Sequence, residues 1–463
     1  MQPGGQKDVQ RCAVWIAAFS SFLTPFMGAS VNIAMPTISA EFSLDAITLS
    51  WVAMSFLLAA AVLLVPAGRL GDIWGRKKIF GYGIALFTVS SLLAGISTSA
   101  QGLILFRFLQ GAGSAMIFGT GVAILTSVFP PQDRGRVLGL NIAVVYLGLS
   151  TGPVLGGFLT QQLGWRSLFL LTVPLGLLTV YLTYFRLNGE WADAGGERFD
   201  VVGSLIYGAS ILALVYGLSL LPEFPGGPLV LLGVALLAAF IWVELKVSSP
   251  VMNVRLFRNN RVFAFSNLTA LINYSATFAC GFLLSLYLQY IDGLSPQMAG
   301  LVLVSQPLVM TIFSPWAGRL SDRVEPRVVA SIGMLFTVLG VSPLALLGWD
   351  TPLWFVVLSQ ATLGFGLALF SSPNTNAIMS AVERKYYGVA SATLGTMRLL
   401  GQMTSMSLAM LIFALYMGRV EIVPEYYERF LDATRAAFLL FSMLCAAGVA
   451  TSLARGDMHH EKR

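Results

Sequence analysis

Long stretches without a charged side chain alternate with short polar segments along the whole chain. Eight such stretches contain no Asp, Glu, Lys or Arg, and they are residues 12–40, 46–68, 79–106, 137–165, 201–222, 262–291, 293–318 and 351–382. A helix needs about 20 predominantly apolar residues to cross the hydrocarbon core of a bilayer. Six further apolar segments lie around 108–130, 167–185, 224–243, 328–349, 386–416 and 436–454. The pattern therefore predicts fourteen membrane-spanning segments.

These segments are expected to be helices and not strands of a barrel. Their apolar residues are continuous, whereas a strand of a membrane barrel alternates apolar and polar positions. The first span follows Arg11, lacks a small-residue cleavage site and precedes thirteen others. We therefore expect a retained helix there and not a signal peptide. The predicted fold class is an all-α integral membrane protein.

The composition supports this class. The 463 residues are 56% hydrophobic and 11% charged, with a mean hydropathy of +0.77, whereas a soluble chain carries about a quarter charged residues. Cys12, Cys280 and Cys445 occur singly, which indicates neither a disulfide nor a metal site. His459 and His460 lie in a polar tail, for which we favour a solvated segment over a metal site.

The net charge of +6 is distributed by membrane side. If the N-terminus is cytoplasmic, the outer loops hold four basic residues, Arg166, Arg419, Arg429 and Arg435, and most of the others fall on the inner loops. This positive-inside pattern predicts a plasma (inner) membrane protein with both termini in the cytoplasm. The charge requires no nucleic acid partner.

A short motif occurs twice. GRLGDIWGRKK follows the second span at Gly68–Lys78, and a degraded copy, GRLSDRVEPR, follows the tenth at Gly318–Arg327. The repeat predicts a duplicated six-helix unit. The expected units are residues 1–187 and 259–463, and residues 188–258 contribute a two-helix connector hairpin. A lipid-facing spacer is the favoured interpretation of that hairpin.

The first copy of the motif predicts a gate. Gly68 and Gly75 permit close approach and a tight turn, and Asp72 can accept hydrogen bonds from a neighbouring helix N-terminus. Arg76 and the lysines after it hold the loop at the membrane surface. We interpret the loop as a conformational latch, with Asp322 as the second-copy counterpart of Asp72, although a simple topology-setting loop remains the alternative.

Two cations, Arg107 and Arg398, lie well inside hydrophobic spans, whereas all 22 acidic residues fall at span ends or in loops. A charge is retained in a membrane where it faces protein, water or substrate. Arg107 and Gln110 share a helix face beside small residues, so we expect both to face a cavity, with snorkelling or a structural role as the alternative. Arg398 lies about ten residues inside its span, too deep for easy snorkelling.

The fifth span carries glycines four residues apart beside a proline. Gly148, Gly152 and Gly156 form one stripe, followed by Gly157, and Pro153 bends the helix. We interpret this stripe as a seam that rocks between two states, with static packing as the alternative.

Amides and hydroxyls in other spans could complete a polar cavity around the arginines. They are Asn32, Tyr146, Asn273, Tyr274, Gln289, Gln306, Asn374 and Asn376. For any one of them, a helix–helix hydrogen bond is the competing interpretation.

Together these motifs resemble the Major Facilitator Superfamily, specifically its fourteen-span drug/proton antiporter branch. GRLGDIWGRKK resembles the loop after the second helix, RFLQGAG the fourth-helix motif and GLSTGPVLGG the fifth-helix motif of exporters. PVMNVRLFRNNRVF and the SSPNTNAIMS to GVASATLGTMR region are also similar to that branch. The resemblance implies two pseudo-symmetric bundles around a central cavity, alternating access, and export of lipophilic compounds against protons.

One position departs from that branch. The branch usually has an Asp in the first helix where this chain has Met27, nine residues before Pro36. Without an embedded carboxylate, neither a proton carrier inside the spans nor a partner for cationic drugs is visible.

We therefore expect a monomeric exporter of small lipophilic compounds, neutral or anionic, that works by proton-coupled antiport. A conventional cationic multidrug/proton antiporter and a lipid or metabolite transporter are the alternatives, and an importer is disfavoured by the fifth-helix motif. No catalytic cluster occurs in the spans, so an enzyme is not expected, and no cofactor is implied. The substrate remains open at this point.

Overall fold

The computed structural model describes residues 3–247, 250, 254, 257–258, 260–321, 323–382 and 387–456, excluding the side chains of 3–6, 131–136 and 387–389. Within these ranges, fourteen helical segments are long and apolar enough to cross a membrane. The prediction of an all-α protein with fourteen spans is confirmed.

The helices fall into two sets of six spans with a hairpin between them. The first set is α1 (Pro3–Phe42), α2 (Ala46–Trp74), α3 (Arg76–Gly95), α4 (Ala100–Val128), α5 (Pro131–Leu163) and α6 (Arg166–Tyr181). The hairpin is α7 (Val201–Leu220) and α8 (Gly226–Glu244). The second set is α9 (Arg261–Tyr290), α10 (Pro296–Leu303), α11 (Ser305–Ser321), α12 (Pro326–Val341), α13 (Leu353–Ser380), α14 (Tyr387–Tyr416) and α15 (Tyr427–Ala454), in which α10 and α11 form one span.

We call α1–α6 the N-half and α9–α15 the C-half. The near side is the end of the bundle at which α1 begins, and the far side is the opposite end. Near-side loops follow α2, α4, α6, α8, α11 and α13. Far-side loops follow α1, α3, α5, α7, α9, α12 and α14.

The two halves repeat the same helix pairings. In the N-half, α1 packs on α5, α2 and α3 pack on α4, and α3 packs on α6. In the C-half, α9 packs on α14, α11 and α12 pack on α13, and α12 packs on α15. The predicted pair of pseudo-symmetric six-helix bundles is thereby confirmed.

Glycines at equivalent crossings show the same symmetry in detail. A Cβ on Gly83 of α3 would lie 2.9 Å from the carbonyl oxygen of Gly113 on α4. In the C-half, a Cβ on Gly333 of α12 would lie 2.8 Å from the carbonyl oxygen of Gly366 on α13. Small residues allow helix backbones to approach closely where no hydrophobic force drives helices together in lipid.

The connector hairpin packs on both halves. Helix α7 contacts α2 and α14, the two helices that meet at one seam between the halves. The Tyr207 hydroxyl donates to the carbonyl of Ala61 at 3.1 Å, and the rings of Trp51 and Tyr216 lie 6.1 Å apart. Helix α8 is mostly exposed. Helix α7 therefore covers the seam, and the lipid-facing spacer stays a prediction that the exposure of α8 allows.

Candidate functional site

A cluster of polar side chains lies where the halves meet near the middle of the spans. Tyr146 of α5 faces the hydroxyls of Ser314 on α11 and Ser371 on α13, and it lies within electrostatic range of Tyr274 and Arg398. One side chain of the N-half thus joins four of the C-half. We call these five residues the central cluster.

Arg398 supplies the charge of the central cluster. Its guanidinium carbon lies 5.9 Å from the centre of the Tyr274 ring, and its side chain is only partly buried. Among the described residues, no carboxylate forms an ion pair with it. In a largely apolar surrounding, such a cation attracts an anion or an electron-rich ring.

Three further polar contacts lie on the helices at or beside the boundary between the halves. The hydroxyls of Ser150 on α5 and Thr311 on α11 lie 3.3 Å apart and connect the halves. Gln306 of α11 lies 3.5 Å from Gln360 of α13, at the limit of a hydrogen bond. Asn32 contributes its backbone carbonyl, which accepts from Ser285 of the C-half at 2.7 Å.

Three amides predicted for the cavity make hydrogen bonds to other helices of the C-half. Asn273 is fully buried with its Nδ2 2.8 Å from the sulfur of Met334. Asn374 is also buried and donates to the carbonyl of Ser266 at 3.1 Å. Asn376 donates to Ser321 on the neighbouring α11 at 3.2 Å. Asn273 and Asn374 thus make the helix–helix contacts of the competing interpretation, whereas Asn376 makes such a bond but stays partly exposed.

Arg455 is a buried cation that the sequence patterns did not single out. It follows α15 directly and is 1% exposed. Its Nη1 donates to Asn374 at 3.0 Å and to Ser266 at 3.2 Å, and its Nη2 donates to Ser452 at 3.1 Å and to the carbonyl of Pro326 at 3.3 Å. Burial lowers the pKa of Arg455 to about 10, so it stays charged at neutral pH. It joins four helices of the C-half at the near side.

Arg107 and Gln110 form a closed network within the N-half. Arg107 is 1% exposed; it donates to the carbonyl of Val52 at 3.0 Å and to Gln110 at 2.5 Å. Gln110 in turn donates to Ser91 at 2.7 Å, and the Phe56 ring lies 4.5 Å from the guanidinium. The expected shared face is present, but in this conformation both side chains lie between α2, α3 and α4 and not in the central cluster.

The glycine stripe of α5 divides between two roles. A Cβ on Gly148, Gly152 or Gly156 would meet atoms of α1 at 2.5–2.8 Å, which is packing within the N-half. Gly157 instead lies against the carbonyl of Pro296, and the carbonyl of Pro153 lies against Gly300, both on α10 of the C-half. Pro153 and Gly157 therefore lie at the boundary between the halves.

Hydrogen bonds join the halves at the far side. Gln289 donates to the carbonyl of Ile33 at 3.0 Å, Gln297 N–H donates to Gln161 at 3.3 Å, and Ala46 N–H donates to Val420 at 3.2 Å. Within the described ranges, each hydrogen bond between the halves lies toward the far side or near the middle. The far side is closed in this conformation.

The near-side loop between α2 and α3 is held by ion pairs. Arg76 lies 2.7 Å from Asp72 and 2.8 Å from Asp193 of the connector, and it donates to Ser127 of α4 at 2.6 Å. Gly75 breaks the helix with φ of +116°, a conformation that glycine adopts without steric cost. Gly68 packs on Gly119 of α4, and a Cβ on Gly119 would lie only 3.0 Å from the backbone nitrogen of Gly68, whereas a Cβ on Gly68 would make an ordinary contact at 3.6 Å.

The connector also holds this loop through hydrogen bonds that involve the backbone of the loop. Arg76 N–H donates to the carbonyl of Trp191 at 2.8 Å, Lys77 N–H donates to the Glu190 carboxylate at 2.8 Å, and Ala194 N–H donates to the carbonyl of Asp72 at 3.0 Å. We call residues Glu190–Glu197 the clasp. Asp322, the predicted counterpart of Asp72, lies outside the described residues.

Comparison with known proteins identifies the family of this chain. A sequence model of the Major Facilitator Superfamily matches residues 17–283 and 266–463, which together span nearly the whole chain. The chain belongs to the Major Facilitator Superfamily. The resemblance seen in its motifs is thereby confirmed.

Relatives within the superfamily are similar over most of their length. The chain is 29% identical over 437 residues to the riboflavin transporter RibZ of Clostridioides difficile (strain 630), covering 94% of this chain and 95% of RibZ. It is 33% identical over 402 residues to the cephamycin export protein CmcT of Amycolatopsis lactamdurans, covering 84% and 82%. These superfamily relatives indicate a transporter and not an enzyme.

A solved structure shares the fold. A bacterial homologue of the human lysosomal transporter Spinster, in an inward-facing and occupied conformation, superimposes with a TM-score of 0.66 over 98% of this chain and 97% of that chain. Its sequence identity is 15%, so this likeness concerns the superfamily fold alone.

Proposed function

We propose that this protein exports small lipophilic compounds, neutral or anionic, by alternating access, in antiport with protons. It acts as a monomer in the plasma (inner) membrane, with both termini and the near side in the cytoplasm. The observation that carries this proposal is the central cluster, in which Arg398 lies beside two tyrosines without an ion-paired carboxylate among the described residues.

The charge balance of the central cluster favours an anionic or neutral substrate. Bringing a cationic compound next to Arg398 in a medium of low dielectric is unfavourable, whereas an anionic group gains the attraction directly. Tyr146 and Tyr274 add apolar ring surface and hydroxyl groups, which suits compounds that carry ring systems. The relatives, which include a riboflavin transporter and a cephamycin export protein, support transport of such compounds.

The closed far side supports a cycle that loads substrate from the near side. Direct hydrogen bonds join the halves from Gln289 to Ile33 and from Ala46 to Val420. Export requires these bonds to break once the near side has closed. We place proton coupling at the membrane surfaces and not in the middle of the spans, because the acidic residues fall at span ends or in loops.

A conventional cationic multidrug antiporter is the second candidate. The two tyrosine rings of the central cluster favour it, because a cation bound over an aromatic face gains about 0.5–2 kcal/mol without a carboxylate. This mode requires Arg398 to point away from the bound cation.

Transport in proteoliposomes under an imposed pH gradient tests the proposal. Fluorescent lipophiles of matched size and with negative, zero or positive charge would be compared in the wild type, Arg398→Ala, Arg398→Lys and the control Arg419→Ala. We expect Arg398→Ala to lower transport of the anionic compound about 10- to 100-fold, the loss of one charge-assisted hydrogen bond of about 1.5–3 kcal/mol. Lysine should restore part of that loss. Transport of the cation alone, unchanged in Arg398→Ala, would establish the second candidate instead.

A further inference from the structure

An apolar groove of about 260 Å³ lies on the near-side half of α9. Six residues line it, all with apolar side chains: Phe257, Ala264, Phe265, Leu268, Leu271 and Met397. Pockets for drug-sized ligands usually have about 300–1,000 Å³. This smaller groove suits one flexible hydrocarbon chain better than a polycyclic compound.

The groove lies on an exposed face of α9, which we take to face the bilayer, and it is separate from the contact between Arg398 and Tyr274. Positions 261, 264, 265 and 268 follow the spacing of one helix face, and Leu268 on that face is 40% exposed. Met397 lines the groove, whereas its neighbour Arg398 points to Tyr274. Adjacent residues on a helix project about 100° apart, so the two sites lie on different faces of α14.

Positive charge lies at the near-side end of the groove. Arg261 is exposed, and its guanidinium carbon lies 5.5 Å from the centre of the Phe265 ring, which lines the groove. Its Nε donates to the carbonyl of Ala454 at 3.1 Å, which fixes the side chain in place. Arg258 is also exposed, about one turn before α9 begins. Both cations therefore lie at the end of the span, where lipid headgroups begin.

We propose that this groove is a binding site for an anionic phospholipid of the near-side leaflet. One acyl chain fills the groove, and the phosphate lies against Arg261 with Arg258 beside it. An acyl chain gains little by moving from lipid to an apolar protein surface, because both surroundings are equally apolar. Selectivity for this site therefore comes from headgroup charge and from the shape of the groove.

Native mass spectrometry of the purified protein tests this site with phosphatidylglycerol and phosphatidylcholine as probes. The wild type should retain phosphatidylglycerol in preference to phosphatidylcholine. Arg261→Gln should weaken phosphatidylglycerol binding about fivefold, the contribution of one basic side chain near an anionic headgroup. Leu268→Trp should fill the groove and reduce binding of both lipids.

Two control variants separate this site from general effects. Arg323→Gln removes an exposed near-side arginine away from the groove, and Leu339→Trp enlarges a residue on α12 that is 51% exposed. Neither should change lipid retention. Equal retention of the two lipids by the wild type would overturn the proposal, as would unchanged binding in both Arg261→Gln and Leu268→Trp. Because lipid retention is measured without transport, a failure here leaves the export proposal standing.

Discussion

Arg398 and Arg455 are both arginines of the C-half, but their surroundings indicate different roles. Arg398 is partly exposed beside Tyr274 and has no carboxylate partner among the described residues. Arg455 is buried, and Asn374, Ser266, Ser452 and the carbonyl of Pro326 accept its hydrogen bonds. A buried cation whose two Nη atoms bond to acceptors on four helices is a structural element of the helix bundle.

We therefore predict opposite phenotypes for the two arginines. Arg455→Met should leave buried acceptors unpaired, each costing about 1–3 kcal/mol, and should lower the melting temperature by several degrees. Arg398→Met should change the melting temperature little and should change substrate preference. Thermal unfolding in detergent and transport in proteoliposomes measure the two effects on the same preparations. A stable Arg455→Met variant would contradict the structural role.

Asp292, in the far-side loop after α9, should make stability depend on pH. Burial raises the pKa of Asp292 to about 6, and a hydrogen bond with Tyr287 lowers it only in part. The folded pKa lies above the unfolded value of about 3.9. The folded protein therefore binds this proton more tightly, and its stability increases as pH falls from about 7 toward 4.

The matched variant for that effect is Asp292→Asn, which keeps the shape and removes the charge. We expect it to unfold at a higher temperature than the wild type at pH 8, with the difference disappearing toward pH 4. Asp432→Asn, which removes an exposed far-side carboxylate paired with Arg435 at 3.2 Å, is the control. An equal shift of Asp292→Asn at both pH values would show that Asp292 does not titrate in this range.

Single residues also show where sequence patterns reach their limit. Asn273 and Tyr274 are neighbours in one span, and both were predicted for the cavity. In the structure, Asn273 contacts Met334 inside the C-half, whereas Tyr274 contacts Arg398 at the boundary between the halves. A membrane helix is apolar on nearly every face, so its pattern does not report which face points to the cavity. Ser314 was missed for the same reason.

At the scale of elements, the spans could be predicted because the bilayer sets their length, and the repeat could be predicted because its motif occurs twice. A span needs about 20 apolar residues, and a duplicated motif after the second and tenth spans indicates a duplicated unit. The helix crossings at Gly83 and Gly113 and at Gly333 and Gly366 follow that duplication. The position of α7 over the seam could not be predicted, because no motif links the hairpin to α2 or α14.

The clasp is the element that holds the near-side loop between α2 and α3. Its bonds protect the backbone amides of Arg76 and Lys77, which donate to Trp191 and Glu190. The ion pair between Arg76 and Asp193 adds little, because the Asp193 carboxylate is 72% exposed and ion pairs open to solvent contribute about 0–1 kcal/mol each. The clasp should therefore open readily without unfolding the protein.

Hydrogen exchange tests the clasp directly. In Glu190→Ala/Asp193→Ala, peptides covering residues 68–78 should exchange several-fold faster, with little change in melting temperature. Glu425→Ala, in a far-side loop, is the control and should leave this exchange unchanged. Unaltered exchange in the double variant would show that the clasp does not restrain the loop.

At the scale of the whole molecule, the far-side closure depends on close backbone contact between the halves. Gly300 of α10 lies so near the carbonyl of Pro153 that a Cβ would overlap it. The backbone has no flexible end that could move away, so Gly300→Ala must separate α10 from α5. Gly281 of α9 offers a matched control, because a Cβ there would meet no atom within 4 Å.

We predict that Gly300→Ala shifts the population toward a conformation open at the far side. Spin labels at Leu163 and Leu346, which are 69% and 76% exposed at the far ends of the two halves, would report the distance between them. The described cysteines Cys12, Cys280 and Cys445 are buried, which limits background labelling. Gly300→Ala should add a longer-distance population that Gly281→Ala lacks, because only the first substitution breaks contact between the halves. Identical distance distributions would mean that the Pro153 contact does not set the equilibrium. The proposed alternating-access cycle would then depend on other far-side contacts, and the bonds from Gln289 to Ile33, from Gln297 to Gln161 and from Ala46 to Val420 would be tested next.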